Sequence, residues 1–395
     1  MDNLWPVLEA ELRRARRRRR AGRMLRRVAA PAAVAAAAAG IAGAVRATRP
    51  APCPCTAWVS GGPSAGAAAG AASASGAGVS PRTVFALRRD GREWRVAGFD
   101  RSTGALRWRS GEAVEPRPVR ALGADLALAW TPPRAGRAEL LALSASDGAV
   151  VWRRGFHVRS GAPEPVEAMD GDRLAVMSEG WIYALRPGDG ALRWMRAAGG
   201  ARGAGVLALR GDRLYGAADR RLVCLDADDG AVRWAHLLDG GATRTRVPSL
   251  AVDGGVCAVG VPSPDGAGTR IRAIDGRTGR LLWRQTADSA VHLAVAGGRV
   301  FVRGRDLRAL DAVTGAPLWS AAVGGCGPIS TRGHRVFVTM GAGPFGVEAL
   351  DLRTGRRIGR RLVAGSCGGV SVRGRMGYVT LRDGSLYAFP LDDLG

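Results

Sequence analysis

A glycine followed four residues later by a tryptophan recurs six times along this chain. The pairs are Gly104/Trp108, Gly148/Trp152, Gly190/Trp194, Gly230/Trp234, Gly279/Trp283 and Gly315/Trp319. A seventh glycine, Gly355, keeps the register but has Gly359 where the tryptophan belongs. Successive glycines lie 44, 42, 40, 49, 36 and 40 residues apart. A repeat of this length is one small unit that cannot bury its own apolar face, so the copies must stack on one another.

Each copy reads as strands. Before the glycine stands an alternating apolar segment closed by Asp, Thr and Gly, as in LRALDAVTG and VEALDLRTG; after it comes a short strand bearing the tryptophan, as in AVRW. Period-two alternation around such a cluster is a hairpin pattern. Asp226, Asp275, Asp311 and Asp351 can accept backbone N–H groups across the turn. Further upstream lie a second strand after a polar glycine turn (GDRLAVMSEG, GGRVFVRGR) and a short fourth segment (VEAMD, VLALR, VHLAV). Four strands in this span make one propeller blade. The expectation is an all-β, eight-bladed β-propeller over residues 81–392, with seven blades as the runner-up. The last copy, ending SLYAFPL, stops before its fourth strand. An open ring leaves a bare sheet edge, and residues 56–60 resemble the missing tryptophan strand.

The repeated unit A-L-D-x-x-T-G-x-x-x-W resembles the quinoprotein-type, PQQ-like β-propeller repeat over roughly residues 83–390. That resemblance implies that Trp108, Trp152, Trp194, Trp234, Trp283 and Trp319 pack between neighbouring blades. The glycines Gly104, Gly148, Gly190, Gly230, Gly279, Gly315 and Gly355 are the turn positions. It also implies two kinds of function. One is a dehydrogenase binding pyrroloquinoline quinone and calcium; the other is a non-catalytic envelope assembly or sensor module. Dehydrogenases of the family carry adjacent cysteines, and this chain has no Cys-Cys pair. No phosphate loop, zinc-spaced cysteine set or nucleophile motif appears, and His157, His236, His292 and His334 fall on different blades. The expectation is therefore a non-enzyme without a resident cofactor or metal.

Charge divides the chain in a second way. All 58 basic residues are arginine, against 34 acids, for a net charge of +24. Residues 1–27 hold ten of those arginines, including the run 16–20, and three acids. An uncharged, alanine-rich stretch follows at 28–45, close to the length needed to cross a bilayer. The organisation expected is a basic cytoplasmic tail (1–27), a transmembrane helix or signal anchor (28–46) and a Pro/Ala/Gly/Ser linker (47–80). The basic flank would keep the N-terminus inside and the propeller outside. Two alternatives stand beside it: a cleaved export signal that releases a secreted protein, and a soluble protein holding nucleic acid through the arginine run. The run lacks aromatic interleaving or a reading motif, so the partners expected are proteins or anionic envelope components rather than nucleic acid. The remaining +17, of which +15 falls on the propeller and the residues that follow it, fits either an anionic ligand or GC-rich codon usage. Cys326 and Cys367 occupy equivalent positions in adjacent copies and are candidates for a disulfide. Cys224 and Cys257 read as core residues. The longer hairpins at 131–137 and 262–268 point to a binding face.

Overall fold

The computed structural model describes residues 58–60, 77–159, 164–198, 205–218, 221–238, 249–263, 268–289, 291–323, 327–340, 345–363, 367–381 and 385–394. The basic tail, the apolar segment 28–46 and most of the linker lie outside the described residues. Among the described residues no helix is long and apolar enough to cross a membrane.

Eight four-stranded antiparallel sheets follow one another around a ring. Blades 1 to 7 occupy residues 78–109, 120–157, 166–197, 206–237, 249–287, 292–321 and 329–362. In each, the strands run in chain order from the channel outward. Blade 8 takes three strands from residues 367–390, and its outermost strand is Trp58–Ser60 from the opposite end of the chain. Trp58 pairs with Ala388, Val59 with Tyr387 and Ser60 with Leu386.

The apolar core is divided rather than central. Eight clusters of buried side chains fill the eight seams between neighbouring sheets. Alternation explains the division: a strand's two faces look at two different blades, so both must be apolar. Second strands such as Val256–Pro262 and Arg335–Met340 are accordingly buried along nearly their whole length.

The propeller starts earlier and ends later than the 81–392 span read from sequence. Gly78–Val79 is the inner strand of blade 1 and pairs with Phe85 and Val84, inside the stretch expected to be linker. Small residues are what that position requires. A Cβ on Gly78 would stand 2.6 Å from the carbonyl oxygen of Val119, which immediately precedes the next inner strand. Ser80 then caps the turn, its Oγ accepting from the Thr83 amide at 3.0 Å. At the other end a 3-10 turn, Leu391–Leu394, is the last of the described residues.

Candidate functional site

The repeated motif builds the seams. In blade 6, Asp311 Oδ1 accepts from the Val313 amide (3.0 Å), the Thr314 amide (2.8 Å) and the Thr314 hydroxyl (2.9 Å). Asp351 makes the same three bonds to Arg353 and Thr354 in blade 7. The Thr314 amide holds Asp311 below the usual carboxylate range, the Thr354 hydroxyl does the same for Asp351, and the Ser102 hydroxyl for Asp100. The turn glycine then crosses to positive φ, +76° at Gly315, where a side chain would be strained.

That glycine has a second duty. The tryptophan of the preceding blade lies flat on it, and a Cβ on Gly315 would meet the Trp283 ring at 2.8 Å. Gly148, Gly190, Gly230, Gly279 and Gly355 receive Trp108, Trp152, Trp194, Trp234 and Trp319 in the same way. Each indole N–H also crosses the seam. Trp108 donates to the Ala145 carbonyl at 3.0 Å, Trp234 to Gly276 at 3.0 Å and Trp283 to Ala312 at 3.0 Å. Trp152, Trp194 and Trp319 donate to Pro187, Ala227 and Leu352 at 2.8–3.1 Å. A buried N–H left unpaired would cost about 1–3 kcal/mol, so the bond orients a ring already held by packing.

The seam between blades 7 and 8 inverts this arrangement. Gly359 stands where a tryptophan stands in the earlier blades, paired with Ala349. The turn of blade 8 carries Leu394 where the others carry glycine, and Leu394 is buried. A Cβ on Gly359 would sit 1.6 Å from the Leu394 carbonyl oxygen, so the turn occupies the tryptophan's place. The exchange was legible: YAFPLDDL aligns with EALDLRTG, which sets Leu394 against Gly355. The sequence reading missed it because the final turn lacks the diagnostic glycine.

At the seam between blades 8 and 1, Arg101 reaches across. Its Nε donates to Tyr378 Oη at 2.9 Å and its Nη2 to the Arg373 carbonyl at 3.1 Å. The Arg373 guanidinium in turn donates to the Val79 carbonyl. No repeat signal marks Arg101, which fills the second position of an ordinary turn.

Two polar features lie elsewhere. A cavity of about 400 Å3 opens at the channel between the inner strands of blades 1, 2, 7 and 8, with Arg120, Ser330, Ser371 and Arg373 among its lining. Arg120 lies 3.5 Å from Glu167, and Ser330 Oγ donates to the Val370 carbonyl at 2.7 Å. Between blades 2 and 3, Trp130 Nε1 donates to Glu167 at 2.7 Å while the Arg117 guanidinium stacks over the Trp130 ring. Burial, reinforced by Glu164, raises the pKa of nearby Glu115. Among the described residues no group of three or more His, Cys, Asp or Glu is placed to hold a metal ion. His157 belongs to blade 2 and lies 3.4 Å from Glu179; His236, His292 and His334 belong to blades 4, 6 and 7.

Cys224 and Cys257 are buried free thiols on adjacent blades. Desolvation pushes Cys224 up to about 11 and raises Cys257 further, so neither is a nucleophile at neutral pH. Cys367 begins the inner strand of blade 8. Cys326 lies outside the described residues, and with it the candidate disulfide. The hairpins at 131–137 and 262–268 both join second to third strands. They therefore share the face opposite the Asp-x-x-Thr-Gly turns.

A family profile described as outer membrane protein assembly factor BamB matches residues 92–260 and 267–389. BamB from Moraxella catarrhalis is similar in structure, with 22% identity, a TM-score of 0.59, and coverage of 80% of this chain and 94% of that one. The computationally designed Ika8 protein gives 16% identity, a TM-score of 0.62, and 81% and 97% coverage. A europium-containing methanol dehydrogenase gives 13% identity, a TM-score of 0.53, and 77% and 81% coverage. At these identities the solved structures show a shared fold alone. No curated protein matches the chain.

Proposed function

The chain belongs to the BamB-like PQQ β-propeller family, and from that premise we propose that it is a non-catalytic scaffold held outside the membrane, where it gathers protein partners of the cell envelope. The observation that supports this most is where the repeated carboxylates go. Asp100, Asp275, Asp311 and Asp351 each accept backbone N–H bonds in their own turns. The conspicuous acids thus stiffen a ring, and a stiff ring presents loops at fixed separations.

Segment 28–46 supplies the anchor in this reading, with the arginines of residues 1–27 on the cytoplasmic leaflet. Crosslinking in intact membranes, followed by identification of the attached proteins, tests the scaffold. Recovery of envelope proteins is expected, and a chain crosslinked only to itself would sink the proposal. A reporter fused after residue 394 tests the topology, because activity confined to the cytoplasm would overturn it. The likeness to a methanol dehydrogenase keeps one rival in view. Stoichiometric uptake of pyrroloquinoline quinone with a metal ion, followed by absorbance, would support that enzyme reading instead.

A further inference from the structure

The closing strand shortens the tether. Once Trp58–Ser60 is the outer strand of blade 8, the chain between the apolar segment and the ring is residues 47–57 alone. Residues 61–76 become an internal connection from blade 8 to blade 1. Eleven residues reach at most about 40 Å even when fully extended. That is less than the length needed to let a propeller tumble freely beside its anchor. The edge made by blade 8 and its neighbours is therefore the edge nearest the bilayer.

The charge of the ring is unevenly spread, and it is centred on that same edge. Blades 7, 8 and 1 with the final turn (329–362, 367–394, 58–60 and 78–109) hold 18 arginines against eight acids. Blades 3, 4 and 5, diametrically opposite (166–197, 206–237 and 249–287), hold 14 arginines against 13 acids. Of the nine charges that separate the two edges, five are acids missing from the near edge, which arginine-rich codon usage does not account for. The outer strands carry arginine at both edges, five on blades 1 and 7 and four on blades 3, 4 and 5. Those of blades 1 to 7 carry 11 arginines and no acid at all. On blade 1, Arg107 and Arg109 are exposed and make no ion pair or side-chain hydrogen bond among the described residues, with Leu106 43% exposed beside them. On blade 7, Leu362 is 52% exposed next to Arg361, which lies 3.7 Å from Asp393; Leu192 and Leu237 are exposed on the far edge too, so net charge rather than apolar exposure separates the two edges.

We infer that the blade 7–8–1 edge docks on the anionic surface of the membrane that anchors the chain, so that the ring stands with its opposite edge outermost. The inference rests on the anchor reading above. Arginine interleaved with exposed leucine suits a bilayer, where guanidinium meets lipid phosphate and the leucines enter the acyl boundary. A soluble polyanion would have no use for the leucines.

The test uses the full chain in neutral phosphatidylcholine vesicles and in vesicles containing phosphatidylglycerol. Hydrogen exchange is followed at Leu106–Arg109 and Arg357–Leu362 on the near edge and at Leu281–Ala287 on the far edge. Near-edge exchange should slow only in anionic vesicles. In the Arg107→Ala, Arg109→Ala variant the docking equilibrium read from that slowing should weaken by about thirtyfold. The Arg277→Ala, Arg280→Ala variant on blade 5 should behave as the parent. Equal slowing at both edges, or none in anionic vesicles, overturns the inference. So does near-edge slowing by soluble polyphosphate without any response to lipid. Flotation with neutral vesicles reports the anchor separately. A chain that fails to float loses the anchor, and the exchange comparison in anionic vesicles still decides the edge.

Discussion

At the scale of the residue, the seams rest on a pairing of one large and one absent side chain. The indole needs a flat floor, and only glycine both accepts φ near +77° and leaves that floor bare, as Gly279 does beneath Trp234. Trp234 is 6% exposed, and its replacement by alanine should destabilise the ring by about 3–5 kcal/mol, read from urea unfolding. The inverted seam gives a sharper test. Gly359→Trp alone should unfold blade 8 locally, because the Leu394 carbonyl stands in the way. Adding Leu394→Gly, which lets the turn take the positive φ of the other blades and swing that carbonyl aside, should recover part of the loss, and a double-mutant cycle with no coupling would refute the exchange. The turn acids add a pH dependence. Their pKa values are depressed in the folded state, so the stability they supply is present above the ordinary aspartate pKa and is lost as pH falls through the folded values. Between about pH 6 and pH 3 the urea midpoint should fall, and it should fall less in a variant with asparagine at 100, 311 and 351.

At the scale of the element, the outer strands were the most readable and the inner strands the least. The tryptophan strands announce themselves because their ring, their glycine and their aspartate fall at fixed separations. In the inner strand Gly78–Val79 the neighbouring backbone leaves no room for a Cβ on Gly78, and a glycine beside an Ala/Gly/Ser stretch looks like linker. Register explains why Trp58–Ser60 fits as an outer strand. Trp58 lies opposite Ala388 just as Trp152 lies opposite Ala142 and Trp319 opposite Ala309. A chain beginning at residue 61 should therefore expose the edge of Leu386–Pro390. Its amides should exchange far faster than in a chain beginning at residue 56, and the shorter chain should aggregate through that edge. The cross-seam latch from Arg101 to Tyr378 was not readable, because its partners lie some 270 residues apart in sequence and belong to no repeat position.

At the scale of the whole molecule, composition alone left the propeller's excess charge without an address. Dividing the arginines by blade supplies one. Arg233 on the outer strand of blade 4 is held by Asp212 and Asp226, whereas Arg107 and Arg109 on the outer strand of blade 1 make no such pair among the described residues. Raising salt should accordingly loosen the near edge from anionic vesicles while leaving unfolding midpoints almost unchanged, since exposed charges are screened and buried seams are not. Seams that are each closed by the next blade also make the ring strongly interdependent, so removal of one seam should lower the melting of its neighbours.

The pairing of Ser60 with Leu386, and the seating of Leu394 over Gly359, set an order of events in the life of the chain. The first strand made is the last to find its partner. At ordinary rates of synthesis it waits roughly 20 to 60 s for the final blade to emerge. For that interval the nascent protein is an open spiral with a sticky rim at each end, and the turn Leu391–Leu394 is the keystone. Stalled or truncated products therefore cannot pass for finished ones: they keep a bare edge for chaperones and proteases to recognise.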